Sequence, residues 1–162
     1  MKRVSWKYLA GFIDGEGCID VQITKHSDPK YQKRLYVRPR LRVAMADNAA
    51  FLLKDWQANF GGHLTYRKSK SKQWQSATSW ECSGYKQSCP VLRNVVNHLI
   101  LKREQARFCL WLESNIKGQF VSTEVVDTVR NELKLMKRDP HRLSERAQQS
   151  VLNALGCDSR AA

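Results

Sequence analysis

The stretch YLAGFIDGEGCIDV, residues 8 to 21, starts with the spacing of an amphipathic helix and ends with the alternation of a strand. At the joint, Asp14 and Glu16 stand among Gly11, Gly15 and Gly17. A helix C-terminus carries about half a negative charge, so each carboxylate there loses about 0.3–1 kcal/mol. The chain holds 28 basic and 15 acidic residues, net charge +13, and has cations in surplus for that position. Acids set against the helix field point to a ligand of opposite charge.

Downstream, CIDVQITK (18–25) puts Ile19, Val21 and Ile23 on one side and Cys18, Asp20, Gln22 and Thr24 on the other, a half-buried strand. YVRPRLRVAM (36–45) repeats the pattern, Val37, Pro39, Leu41 and Val43 alternating with Arg38, Arg40 and Arg42. The arginines would stand about 6.6–7 Å apart, an arrangement that calls for an anion over them. Pro39 has no N–H, which predicts an edge strand or a bulge. Asp47 or Asn48 can cap a second helix with Leu52, Leu53, Trp56 and Phe60 inward, stopped by Gly61-Gly62. HLTYRK and SATSWECSG form a hairpin around the basic tip SKSKQ, with Thr78, Trp80 and Cys82 facing the core. Pro90 opens a third helix, a fourth spans Lys102 to Ile116, and two more run near Thr123–Lys137 and Ser144–Leu155. The expected fold is α+β, in the order α-β-β-α-β-β-α, with one four-stranded antiparallel sheet and C-terminal helices. Residues 1–162 are expected to make a single domain.

Composition narrows the function. No apolar run nears the ~20 residues of a membrane span, and MKRVSWKYLAG has neither a signal core nor transit character. A soluble, intracellular chain without a membrane partner is expected, in a plastid, a mitochondrion or a bacterial cytoplasm. The five cysteines form no CxxC pair and suit buried reduced thiols better than zinc. Residues 25–42 hold seven basic residues and one acid, a concentration that favours a face for a polyanion over diffuse solubility charge.

Gly11 and Gly15, four apart with Ala10 beside them, thin one stripe of the first helix so that another backbone can approach. Only one such helix occurs, so its simplest partner is the same helix of a second copy across a two-fold axis. Ala10, Gly11, Asp14 and Gly15 would line that interface. Each Glu16 would then arrive near the axis, where a divalent cation relieves the repulsion; oxygen ligands with waters suit Mg²⁺, and Ca²⁺ or Mn²⁺ can take the same site. These are parts for metal-assisted phosphodiester hydrolysis.

Leu9-Ala10-Gly11-Phe12-Ile13-Asp14-Gly15-Glu16-Gly17 resembles the signature of the LAGLIDADG homing endonucleases, with Phe for Leu, Gly for Ala and Glu for Asp. FGGHLTYR (60–67), LKREQARF (101–108) and SERAQQSVLNAL (144–155) resemble later segments of the small, single-motif, homodimeric and intron-encoded members. The resemblance implies a site-specific endonuclease that makes a metal-dependent double-strand break in a long pseudo-palindromic DNA target, leaves short 3′ overhangs and spreads its intron. It implies that Glu16 and the Gly15 carbonyl bind metal, that Lys102 orders water near the scissile phosphate, and that Asp14 has a structural role. Two positions depart from the family pattern. Met45 stands where a glutamine would position water, and Ala49 where an arginine would lie; Arg42 or Gln105 would have to substitute, or cleavage is slower.

A strand of eight or nine residues covers about 26–30 Å, so each subunit would follow roughly eight or nine base pairs of a major groove about 12 Å wide. Arg38, Arg40 and Arg42 are the candidates for bidentate guanine contacts, and Gln22 and Thr24 for adenine or phosphate. Lys68, Lys70 and Lys72 suit phosphates, and Tyr66 on the same hairpin is a further candidate contact. Two rival readings stand beside this one: an intron RNA maturase or DNA-binding protein that kept the fold without cleavage, favoured by Met45 and Ala49, and a zinc nuclease of the His-Cys type, disfavoured by scattered Cys and His.

Overall fold

In the computed structural model, which describes residues 4–28, 30, 34–69 and 75–158, Ser5 caps the first helix, α1 (Trp6–Glu16), its hydroxyl accepting from the Tyr8 N–H at 3.2 Å. The helix buries Leu9, Ala10 and Ile13. It stops at Gly17, whose N–H donates to the Ile13 carbonyl. A Cβ on Gly17 would lie 2.7 Å from both the Ile13 Cα and its carbonyl oxygen. Glycine therefore lets the chain pass from helix into strand β1 (Gly17–Lys25) without a loop.

β1, β2 (Leu35–Ala46), β3 (His63–Arg67) and β4 (Ala77–Ser83) form one antiparallel sheet in the order β1-β2-β4-β3. α2 (Ala50–Phe60) links the two hairpins, and α3 (Tyr85–Val95), α4 (Arg103–Ile116), α5 (Thr123–Arg138) and α6 (Ser144–Asp158) follow. The α+β order read from the sequence is the observed one. Ile19, Val37, Leu41, Val43, Trp80 and Cys82 bury one face of the sheet against Leu9 and Ile13 of α1, Leu53 and Trp56 of α2, and Phe108 and Leu112 of α4. Trp56 meets Trp80 edge-on at 5.6 Å between centroids, and the Trp80 indole N–H donates to the Gly61 carbonyl at 2.8 Å.

Three local expectations change. β2 is an inner strand, so Pro39 does not lie on an edge strand. Its carbonyl accepts from Gly84 N–H at 2.8 Å on the β4 side, and pairing with β4 begins only at Arg40–Ser83. The proline nitrogen points to that same side, beyond the end of the β4 pairing, where no ladder bond is lost. Asp47 does not cap α2; it opens a short 3₁₀ turn, and its carboxylate accepts from the Thr78 hydroxyl at 3.1 Å. Pro90 lies inside α3, which starts five residues earlier at Tyr85. The carbonyl that Pro90 leaves unpaired belongs to Lys86; both residues are exposed, on the solvent side of the helix.

Cys82, Cys89 and Cys109 are buried thiols and Cys18 is half-buried. Burial pushes Cys82 and Cys89 up to about 12, which keeps them protonated and inert near neutral pH. No described helix is long and apolar enough to cross a membrane.

The contact that positions the site joins the end of α1 to the start of α4. The Asp14 carboxylate accepts from Ile100 N–H at 2.6 Å and from Lys102 N–H at 2.9 Å. The Asp14 carbonyl accepts from the Lys102 ammonium. A hydrogen bond to a charged acceptor contributes about 1.5–3 kcal/mol, so two of them outweigh the ~0.3–1 kcal/mol lost to the helix field. Asp14 is thus stabilising where it stands, and only Glu16 remains as an acid set against the field.

Two outcomes follow for stability. Gly17→Ala is expected to lower the unfolding free energy by about 1–3 kcal/mol through its clash with the Ile13 backbone, whereas Gly15→Ala, with open space around its added Cβ, leaves it unchanged or raises it by up to about 1 kcal/mol; urea denaturation of both checks this. Asp14→Ala is expected to cost about 1–3 kcal/mol because the part-buried Lys102 N–H and the exposed Ile100 N–H lose their acceptor. Amide exchange at Ile100 and Lys102 should accelerate in that variant before the rest of the chain; unchanged exchange there would contradict the clamp.

Candidate functional site

Directly paired residues of an antiparallel sheet share a face, so the register defines the surface opposite the helices. β1 and β2 pair Gln22 with Arg38, Asp20 with Arg40 and Cys18 with Arg42. β2 and β4 pair Arg40 with Ser83 and Arg42 with Glu81; β3 and β4 pair His63 with Glu81, Thr65 with Ser79 and Arg67 with Ala77. All of these side chains are half-buried or exposed. The register brings Gln22, Thr24, Arg38, Arg40 and Arg42 onto one open face and adds Thr65 and Arg67, which sequence alternation alone left unassigned.

Other candidates fall elsewhere. Tyr66 pairs with the buried Thr78, so it belongs to the helix side of the sheet, away from the arginines, because β3 carries Thr65 and Arg67 outward instead. Lys68 is exposed just past β3. Lys70 and Lys72 lie outside the described residues. The Thr24 hydroxyl oxygen is covered and has no partner among the described residues, leaving Gln22 as the accessible polar group of that pair.

The arginine face already carries its own acids. The Asp20 carboxylate accepts from Arg40 Nε at 2.8 Å and Arg40 Nη2 at 3.0 Å, an arrangement that holds the guanidinium firmly protonated. Glu81 stands opposite Arg42 and accepts from the Ser83 hydroxyl. The anion that the alternating arginines call for is, over Arg40, a side chain of the protein itself.

At the end of β1 nearest α1, Gly15 and Glu16 are exposed, and no hydrogen bond or ion pair among the described residues reaches the Glu16 carboxylate. Lys102 stands beside it, its ammonium on the Asp14 carbonyl. Burial pulls the Lys102 amine below its ordinary value, opposed by the charges of Asp14, Cys18 and Glu16 and aided by Lys137. Gly17, Cys18, Leu101, Lys102, Gln105 and Lys137 line a cleft of about 320 Å³ behind this point. Lys137, at the end of α5, donates to Cys18 Sγ at 3.4 Å across 119 positions, a contact no local pattern announces. Gln105 is only 3% exposed, and its side-chain oxygen has no partner among the described residues. Met45 packs partly buried against the core and Ala49 precedes α2, so neither adds a polar group.

The donors at the α1 terminus are oxygens: the Glu16 carboxylate and the end-of-helix Gly15 carbonyl. That set fits a hard divalent cation and not zinc held by thiolates. Among the described residues no group of three or more His, Cys, Asp or Glu could by itself hold a metal. One chain therefore offers part of a coordination shell.

The other face of α1 presents Lys7, Tyr8, Gly11, Phe12, Gly15 and Glu16 around a shallow, mostly apolar groove. A Cβ at Gly11 or Gly15 would meet nothing within 4 Å. Ala10 is fully buried against its own core, one helical step away from that face, so it does not belong to the thinned stripe. Asp14 is turned toward residues 100–102. Ile100, 78% exposed, and Leu101 extend the apolar surface beside the helix end.

Comparison with known proteins agrees with this architecture. Residues 9–114 match the model of the LAGLIDADG endonuclease family. Over 111 residues the chain is 30% identical to DNA endonuclease I-CvuI of Chlorella vulgaris, an alignment that takes in 67% of this chain and 63% of that one. Two crystal structures of I-CvuI superpose with a TM-score of 0.61 at 25% identity, covering 92% of this chain and 93% of theirs. One holds a DNA target in the presence of magnesium with the DNA not cleaved, the other its own target in the presence of calcium. The archaeal intron-encoded homing endonuclease I-Vdi141I, solved with DNA, shares the fold at TM-score 0.57 and 14% identity, over 91% of this chain and 96% of that one. From the Leu9–Gly17 helix through the sheet to α4, the chain belongs to the LAGLIDADG endonuclease family.

Proposed function

We propose that the chain, acting throughout residues 1–162 as one domain, is a site-specific DNA endonuclease that works as a homodimer with Mg²⁺. The observation that carries this reading is the juxtaposition of an exposed, unpaired Glu16 with the Lys102 ammonium at one end of a sheet whose open face bears Arg38, Arg40 and Arg42. The complexes of I-CvuI with DNA in the presence of magnesium or calcium support it.

Glu16 and the Gly15 carbonyl would hold the metal, which supplies Lewis-acid stabilisation of phosphate charge and a more acidic bound water. Lys102 keeps its ammonium at the same helix end, where it can donate to a phosphate oxygen or an ordered water. Gln105 and Lys137 line the cleft behind Gly17, and Gln105 or Arg42 would have to stand in for the missing family glutamine and arginine. Arg42, opposite Cys18 in the register, is the base-reading candidate adjacent to the cut. At this helix end each copy offers one carboxylate without a partner among the described residues, so pairing α1 across the Gly11–Gly15 face would bring two together over the two strands of one duplex. Tyr8, Phe12, Ile100 and Leu101 would seal that seam.

The apolar Met45 and Ala49 favour one other reading, a non-cleaving intron RNA maturase of the same fold. Failure to cut any DNA in Mg²⁺, together with tight binding of intron RNA, would establish it instead.

Glu16→Gln is expected to slow plasmid cleavage by about a thousandfold, the several kcal/mol a bound metal contributes, while gel-shift binding of the same DNA persists. Equal loss of cleavage and binding would contradict the metal role. Gly11→Leu, which has room in the single chain, should leave the melting transition intact and shift the sedimenting species from dimer to monomer. A dimer that survives this change would place the interface elsewhere.

A further inference from the structure

Among the three arginines of the open face, Arg40 is distinguished by its bidentate bond to Asp20, at 2.8 Å and 3.0 Å across the β1–β2 register. With side-chain exposures of 25% and 21%, the pair is part-buried yet still reaches the open face. Toward a polyanion the carboxylate is unfavourable, since it repels phosphates and cancels one arginine charge. A carboxylate that opposes affinity, on the face proposed to meet DNA, calls for a role toward the arginine it holds.

The geometry of the guanidinium supplies it. Of its five N–H groups, Asp20 takes the side edge, Nε–H and one hydrogen of Nη2. The edge at the tip, Nη1–H and the second Nη2–H, remains available. Two parallel donors on that edge match the O6 and N7 acceptors of guanine in the major groove. A fork held in one plane loses less freedom on binding than a free side chain does, and it cannot swing aside to a phosphate. Because the pair is neutral overall, its gain on DNA comes from the fitting base and not from the backbone.

We propose that Asp20 is a positioning residue for sequence specificity: it locks Arg40 so that each subunit reads a guanine at one position, giving a symmetric pair of guanines in the full target. This rests on the reading of the open face as a DNA-binding surface. Arg38, exposed and opposite Gln22, and Arg42, opposite Cys18 and Glu81, have no such bidentate lock among the described residues and would tolerate more than one base or a phosphate.

Selection of duplexes from a random-sequence DNA library, with the full-length chain and its Asp20→Ala, Asp20→Asn, Asp20→Glu, Arg40→Ala and Asp20→Ala/Arg40→Ala variants, tests this. The wild-type chain should prefer guanine on the order of tenfold at one symmetric pair of positions. Asp20→Ala, Asp20→Asn and Arg40→Ala should each erase the preference at those positions, the double variant should erase no more, and Asp20→Glu should restore part of it. Binding of non-cognate duplex by Asp20→Ala should be unchanged or tighter at low salt. A guanine preference that survives Asp20→Ala, or variants that act on different positions, would overturn the proposal; the latter result would make Asp20 a direct base contact. If the wild-type chain enriches no sequence while all variants melt normally, the reading of the sheet as a base-reading surface falls, and the role of Asp20 with it.

Discussion

The clamp formed by Asp14 sets the geometry of the candidate site at the end of α1. Its carboxylate fixes the backbone at Ile100 and Lys102, and its carbonyl receives the Lys102 ammonium, so the last turn of α1 and the first of α4 are tied at three points. Residues 86 and 88 positions apart are thereby brought together, and Glu16 is left projecting past the knot with its charge unpaired. The field of the helix end disfavours both acids. For Asp14, hydrogen bonds to two N–H groups outweigh that penalty; for Glu16 nothing within one described chain does. The uncompensated member of the pair is the one proposed to act outside the protomer.

Gly17 gives this arrangement its sharpness. Because no Cβ fits against Ile13, helix passes into strand with no intervening loop, and the proposed metal carboxylate sits one residue from the sheet that would bind DNA. The proposed hydrolytic and reading surfaces are therefore continuous: Cys18 pairs with Arg42, Asp20 with Arg40, and Gln22 with Arg38, in steps of roughly 6.6–7 Å away from Glu16. A duplex laid along β1 and β2 would have its scissile bond fixed relative to the bases being read. Specificity and cleavage position become one geometric property in this arrangement.

Much of this was legible before any coordinates. Strand alternation in residues 18–25 and 36–45 marked both the core face and the arginine face, since a period of two admits only two assignments. The signature residues 9–17 marked the helix end. Contacts set by register or by distant packing were not legible. The Asp20–Arg40 bond depends on which residues of two strands lie opposite, and the approach of Lys137 to Cys18 depends on how α5 settles against β1. Ala10 looked like part of the thinned stripe because spacing alone does not reveal which side of a short helix meets its own core. Pro39 and Pro90 sit where a missing N–H is tolerated: beyond the end of the β4 pairing for Pro39, and on the exposed side of α3 for Pro90. The face of Tyr66 is not legible in the sequence because β3 lacks a clear apolar alternation, and only its pairing with Thr78 sets it.

The central claim is that two copies of this helix end share divalent metal over DNA. Anomalous diffraction from Mn²⁺ in crystals of the chain bound to its selected duplex tests it most directly. The account predicts anomalous density against the Glu16 carboxylates of two protomers whose α1 helices meet along Gly11 and Gly15. Density remote from Glu16, or a single protomer on the duplex, would contradict it.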